Sequence, residues 1–286
     1  MTSINLDISF WQDAKIRFFK NKAAVFGSII LFLLIIMAIV GPYFSPYSYF
    51  ETHLELKNQS PSSQFFFGTD ELGRDVFTRT FYGARISLSI GIIAAMIDVV
   101  IGVIWGTIAA YFKGMVDEIM MRICDILYSI PYLLIVILLL VIMGPGFLTI
   151  IIALSVTGWI NMARIVRSSC LQLLEYDFIK AAHLLGASKK RIIFRHLIPN
   201  CFGTIIATMT LTIPVAIFTE TFLSFLGLGI QAPIASWGVM VNDSLGALRY
   251  YPWRLFFPAL MITLTMFGFN LFGDGLRDSF DPRLRK

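Results

Sequence analysis

The sequence predicts an all-α membrane protein with six transmembrane helices and both termini on the cytoplasmic side. Three observations predict it. Of 286 residues, 57% are hydrophobic and only 14% charged, whereas soluble domains carry about 25% charged residues. The apolar residues collect in long runs near the roughly 20 residues that cross a bilayer. All but six of the 23 Lys and Arg fall in the two termini or in two alternate connections, which marks those segments as inside. The six are Lys57, Arg74, Arg79, Arg85, Arg249 and Arg254.

Residues 1–22 form the N-terminal interfacial segment. Phe10, Trp11, Ala14 and Phe18 recur at helical spacing with Lys15, Lys20 and Lys22 beside them. This pattern suits a short helix lying on the cytoplasmic interface; a disordered tail is the alternative. Residues 23–85 hold the first span, Ala23 to Val40, and an outside loop whose second half is partly helical. No small-residue cleavage site follows the first apolar run, so it reads as a retained span.

Residues 86–276 are the five-helix core. The second span, Ile86 to Phe112, repeats small residues every four positions at Ser87, Gly91 and Ala95, and again at Gly102, Gly106 and Ala110. That spacing lets helices approach closely in lipid. Asp98 lies on the same face, and an intramembrane carboxylate turns toward protein or water. Contact with substrate or an ion is one role for it; a hydrogen bond to a neighbouring helix is the other. Lys113–Arg122 reads as a short inside turn. The third span, Ile123 to Met143, is kinked at Pro131, and Gly144-Pro145-Gly146 turns outside. The fourth span runs from Phe147 to about Ala163.

A basic loop, 164–200, comes next. Within it Ala181, Ala182, Leu184 and Leu185 favour helix, and Gly186 stops it. Ser188 caps a second helix from Lys189, and Pro199 ends it or begins the next element. Ile192, Ile193 and Leu197 share one side of that second helix, and Arg191 and Arg195 another. Two readings fit: a loop that fixes topology by charge, or a docking element for a soluble partner. The fifth span, Cys201 to Leu226, carries Pro214 and, toward its outer end, Glu220. Lining an outer gate or pairing with an arginine such as Arg249 both fit Glu220. A second outside loop leads to the sixth span, Leu255 to Phe272, and residues 277–286 form a polar cytoplasmic tail.

The absences are equally informative. No phosphate-binding G-x-x-x-x-G-K-[ST] loop occurs, so the chain has no such means of binding ATP. No H-E-x-x-H or Cys-x-x-Cys pair offers a metal site, and Cys124, Cys170 and Cys201 are irregularly spaced. The net charge of +5 sits in connections between spans and does not point to nucleic acid.

Ala181, Ala182 and Gly186, with Pro199 thirteen residues after the glycine, resemble the E-A-A-x-x-x-G loop of permease subunits of ATP-binding-cassette importers. Lys180 stands in the glutamate's place, His196 and Ile198 in those of the following Ile and Leu. Phe67-Gly68-Thr69-Asp70 with Gly73-Arg74-Asp75, Gly186-Ala187-Ser188, His196 through Asn200, and Ser236-Trp237-Gly238 are similar to segments of the second permease of the oligopeptide, dipeptide and nickel branch. The resemblance covers nearly the whole chain and implies the type I importer permease fold. It implies a coupling helix at Ala181, Ala182, Gly186, Ala187, Ser188, Arg191, Arg195, His196 and Pro199, seated on an ATPase. It places Gly68, Asp70, Gly73, Arg74, Asp75 and Trp237 on the binding-protein side; Asp98 and Glu220, as carboxylates within spans, are the candidates for the translocation path. Partners so implied are a second homologous permease, two cytoplasmic ATPases holding ATP and Mg, and an extracytoplasmic binding protein, all at a bacterial cytoplasmic membrane. The chain itself is then no enzyme and binds no cofactor. Peptide is the expected cargo, nickel or a metal–metallophore complex the alternative within the family. An ion-coupled carrier using Asp98 or Glu220 is an alternative of another class, and a structural membrane partner a third.

Overall fold

A computed structural model of the chain describes residues 10–280. The described residues are helical, with no named strand among them: α1 Phe10–Lys20, α2 Lys22–Val40, α3 Val76–Phe112, α4 Gly114–Ser129, α5 Tyr132–Met143, α6 Phe147–Leu174, α7 Asp177–Leu184, α8 Lys189–Ile192, α9 Ile198–Asn200, α10 Phe202–Phe225, α11 Trp237–Ser244 and α12 Trp253–Phe280. A π-helical turn, Ile193–Leu197, joins α8 to α9. Five helices (α2, α3, α6, α10 and α12) are long and apolar enough to cross a membrane, and α4 with α5 makes a sixth if the pair counts as one span. The N-terminal segment is helical from Phe10; residues 1–9, the side chains of Phe10 and Trp11, and the tail 281–286 lie outside the described residues.

Several boundaries differ from the sequence expectation, each for a physical reason. α3 begins at Val76, ten residues before Ile86, because Asp75 caps it, accepting from the backbone N–H groups of Phe77 and Thr78. α6 runs past Ala163 to Leu174, so the basic loop does not begin at Arg164. Arg164 and Arg167 instead remain helical and pair with Asp125 and Asp117 of α4; with the charge neutralised, the helix has no reason to end there. Lys113–Arg122 is mostly the first half of α4 rather than a turn. Pro131 does more than kink: Ile130 is extended at ψ 126°, as residues before proline prefer, and α4 meets α5 at a 79° bend. α12 continues beyond Phe272 to Phe280.

α3 and α6 form the most extensive helix pair, and the small-residue face explains it. A Cβ on Gly106 would clash with the carbonyl of Ala163, and one on Gly102 would meet Met162 Cβ at 2.7 Å. Gly91, one heptad and a turn earlier, turns toward Ile217 of α10 instead. The face is thus divided between two partners. Gly106→Ala is expected to destabilise the protein by about 1–3 kcal/mol through overpacking, read as a lower melting temperature in detergent. Gly146→Ala, where nothing lies within 4 Å, is the comparison that stays unchanged.

Two ends of the bundle follow from the contacts of α3. Near Val76 sits a cap made of residues 41–75 and 227–252; near Phe112 sits the segment 175–200.

Candidate functional site

The segment after α6 is a hairpin. Asp177 starts α7, whose C-terminus closes with three backbone bonds: Leu185 N–H to Ala181 O, Gly186 N–H to His183 O and Ala187 N–H to Ala182 O, each 3.0 Å. Gly186 takes φ +78°, the left-handed region that glycine enters without steric cost. Ser188 Oγ accepts from Arg191 N–H at 3.3 Å and starts α8. Helix, turn and cap therefore stand where the residue types put them.

The apolar stripe faces the other way from the expectation that it awaits a partner. Ile192, Ile193 and Leu197 are buried, with Ile179, against Val103 and Ala110 of α3 and Met162, Val166 and Cys170 of α6. The chain's own spans fill that demand. Cys170 and Cys201, both free thiols, meet at the hairpin base with Sγ atoms 3.5 Å apart. Among the described residues no group of His, Cys, Asp and Glu is arranged to hold a metal.

What the hairpin presents to the exterior is its tip. Leu184 is 90% exposed and Leu185 87%. Around them Ala181, Gly186, Ser188, Arg191, Arg195 and Pro199 are exposed, and Ala182, Ala187 and His196 half-buried. Burial of an apolar side chain stabilises a contact by about 1.5–3 kcal/mol, and these two bare leucines form an exposed apolar knob on a braced scaffold. Sequence reasoning read this pair only as helix formers; the signal was two leucines placed directly before a turn glycine.

Between α3, α5, α6, α10 and α12 lies a cavity of about 940 Å³. Its polar lining includes Asp98, Tyr132, Thr157, Asn161, Thr208 and Arg277. Asp98 is only 4% exposed, and its Oδ1 has no hydrogen-bond partner. The alternative of a structural hydrogen bond to a neighbouring helix is therefore not what the structure shows.

Glu220 is not part of this cavity. It is wholly buried, and its Oε1 accepts from Ser236 Oγ at 2.7 Å and Ser224 Oγ at 2.9 Å, with Ser87 Oγ 3.4 Å from Oε2. Ser87 in turn accepts from Trp237 N–H at 3.2 Å. Glu220 thus ties α3, α10 and α11 together and does not pair with Arg249, whose guanidinium lies over Tyr250.

The cap end is buttressed from inside. Asp70 pairs with Arg74 Nε at 2.6 Å and Arg79 Nε at 3.5 Å, and accepts from the N–H groups of Leu72 and Arg74. Gly68 and Gly73 take φ +76° and +71°, which sets up the turns. Arg254 reaches Asn58 and Glu71. Burial pushes the Asp243 carboxyl up from its ordinary value, and Arg79 and Arg74 pull it back. Gly68, Asp70, Gly73, Arg74, Asp75 and Trp237 are all buried. They are not a contact surface in themselves: they shape the loop, and Trp237 donates its indole N–H to Thr80 O at 2.9 Å. Exposed apolar groups of the cap include Tyr43, Phe44, Phe50, Leu54, Phe66 and Tyr250.

Comparison with known proteins decides the family. Residues 99–286 match the model for the binding-protein-dependent transport system inner membrane component, and residues 9–61 that for the N-terminal TM domain of oligopeptide transport permease C. The chain belongs to the ABC importer permease family. The permease is 58% identical over 279 residues to the oligopeptide transport system permease protein OppC of Bacillus subtilis (strain 168), covering 98% of this chain and 92% of that one. It is also 58% identical to the dipeptide transport system permease protein DppC of the same organism, over 98% and 88% of the two chains. Among solved structures, an inward-facing MetNI methionine ABC transporter aligns with TM-score 0.60 at 17% identity, covering 71% of this chain and 96% of that chain; this likeness bears on fold. The permease is accordingly a non-catalytic, multi-pass membrane subunit of an ABC importer.

Proposed function

We propose that this permease joins a second, homologous permease to form a passage for peptides across the bacterial cytoplasmic membrane. An extracytoplasmic binding protein delivers the peptide at the cap end. Two cytoplasmic ATPases, which hold ATP and Mg, drive the cycle from the hairpin end, and the permease binds neither itself. The observation that carries this reading is the hairpin: its inner stripe is locked to α3 and α6, and its Leu184–Leu185 tip is bare. A force applied at the tip is passed to the spans and is not absorbed by a flexible loop. Nucleotide binding then stabilises one arrangement of the permease pair over the other, which is alternating access written as differential binding. The sequence relationship to oligopeptide and dipeptide permeases supports peptide as cargo.

The test is purification of the tagged permease in mild detergent with its partners, followed by ATP hydrolysis in the presence of binding protein and peptide. Co-purifying ATPases whose rate rises with loaded binding protein support the reading; a homogeneous permease with no ATPase overturns it. Gly186→Leu is expected to remain in the membrane yet lose transport by about ten-fold or more, because a left-handed non-glycine costs roughly 1–2 kcal/mol at the turn and the side chain projects into the docking face. Nothing within this chain lies in its way, so normal transport by that variant would remove the coupling assignment.

A further inference from the structure

We propose that Asp98 is the subsite, within the cavity, for the cationic amino terminus of the transported peptide; the proposal rests on the peptide-import reading above. Asp98 is the only carboxylate that lines the cavity among the described residues. Its position is built. The carboxylate lies against α6 at Gly158, where a Cβ would stand 2.8 Å from Oδ1, so the absence of a side chain at 158 makes the space it occupies. No arginine, lysine or serine comes with it: Oδ1 is buried and unpartnered, in contrast to Glu220, which three serines satisfy. A carboxylate at such depth is costly unless a partner arrives.

The cavity says what kind of partner that is. At about 940 Å³ it is far larger than a bare ion needs and is the size of a typical small-molecule site. The remaining lining is mixed: neutral polar side chains such as Thr157, Asn161, Gln172 and Thr208 stand beside small or apolar ones such as Ala94, Leu154, Ala207 and Val215. Tyr132 adds a second unpartnered polar atom, its hydroxyl. One carboxyl group in a wide chamber whose other lining is neutral apart from Arg277 matches the feature that peptides share, the α-ammonium. The Arg277 guanidinium, exposed at the α12 end of the same cavity, is its only counterpart of opposite sign.

The experiment uses the assembled importer. Without binding protein, Asp98 is labelled by dicyclohexylcarbodiimide and mapped by mass spectrometry. A free-amine tripeptide is expected to slow that labelling several-fold, its N-acetyl derivative and sodium chloride at equal ionic strength are not, and labelling of Glu220 is expected to be indifferent to all three. Equal protection by the acetylated peptide or by sodium, or none by the free amine, overturns the proposal. In proteoliposomes with saturating binding protein, Asp98→Asn is expected to lower tripeptide uptake by about ten-fold, the scale of one hydrogen bond to a charged group, with Asp98→Glu retaining more; uptake equal to wild type by Asp98→Asn also overturns it. Absence of wild-type uptake refutes peptide as cargo, and is read separately from the labelling.

Discussion

Exchanging both Leu184 and Leu185 for aspartate strips the ATPases from the purified importer and abolishes nucleotide-driven transport, while the permease itself folds and melts as wild type. Both side chains are almost fully exposed in this chain, so the variant removes no internal contact. At a docked interface each leucine contributes about 1.5–3 kcal/mol. Losing two of them weakens association by roughly two to four orders of magnitude, before counting the desolvation of the new carboxylates. The measurement is co-purification stoichiometry in detergent together with circular dichroism melting of the isolated permease. Retention of the ATPases at wild-type stoichiometry would place the contact elsewhere on the hairpin, on Arg191 or Arg195.

Asp70→Ala produces the second large effect, on stability. The carboxylate of Asp70 holds two guanidinium groups, Arg74 and Arg79, that are 5% and 2% exposed, and it also closes the turn at Leu72. Its removal leaves buried positive charge with little compensation beyond Asp243, 3.7 Å from Arg74. Breaking one partner of a buried pair costs about 3–5 kcal/mol, enough to lower the yield and the melting temperature sharply. Asp75→Ala, which removes a helix cap, costs about 1 kcal/mol and ranks well below. If the two variants melt alike, the Asp70 cluster is not what holds the cap together.

The order and composition of the spans could be read directly, because apolar runs and basic connections are local properties of the chain. The hairpin's turn was equally plain, since Gly186 and Ser188 act within a few residues of themselves. Boundaries failed where a distant residue changes the cost of a local choice. Arg164 and Arg167 signal an aqueous loop until Asp125 and Asp117 are brought beside them by α4. The stripe at Ile192, Ile193 and Leu197 signals an absent partner until α3 and α6 are seen beneath it. Trp237 reads as part of the outer loop and Glu220 as lining a gate or pairing with Arg249, yet each is tied to α3 across about 130 residues or more of sequence. Asp98 and Glu220 each kept two readings in sequence; the hydrogen bond that Asp98 Oδ1 lacks and those that Glu220 makes set them apart.

The length of α3 has a mechanical meaning. Its 37 residues extend about 55 Å, well beyond the roughly 30 Å of hydrocarbon, and no proline interrupts them. One end is pinned by Asp75 and by Trp237 against Thr80; the other, through Val103 and Ala110, is the floor on which the hairpin rests. Hairpin and cap are therefore moored to a single uninterrupted rod. The rod has no break along its length, whereas the α4–α5 pair beside it is broken by a 79° bend.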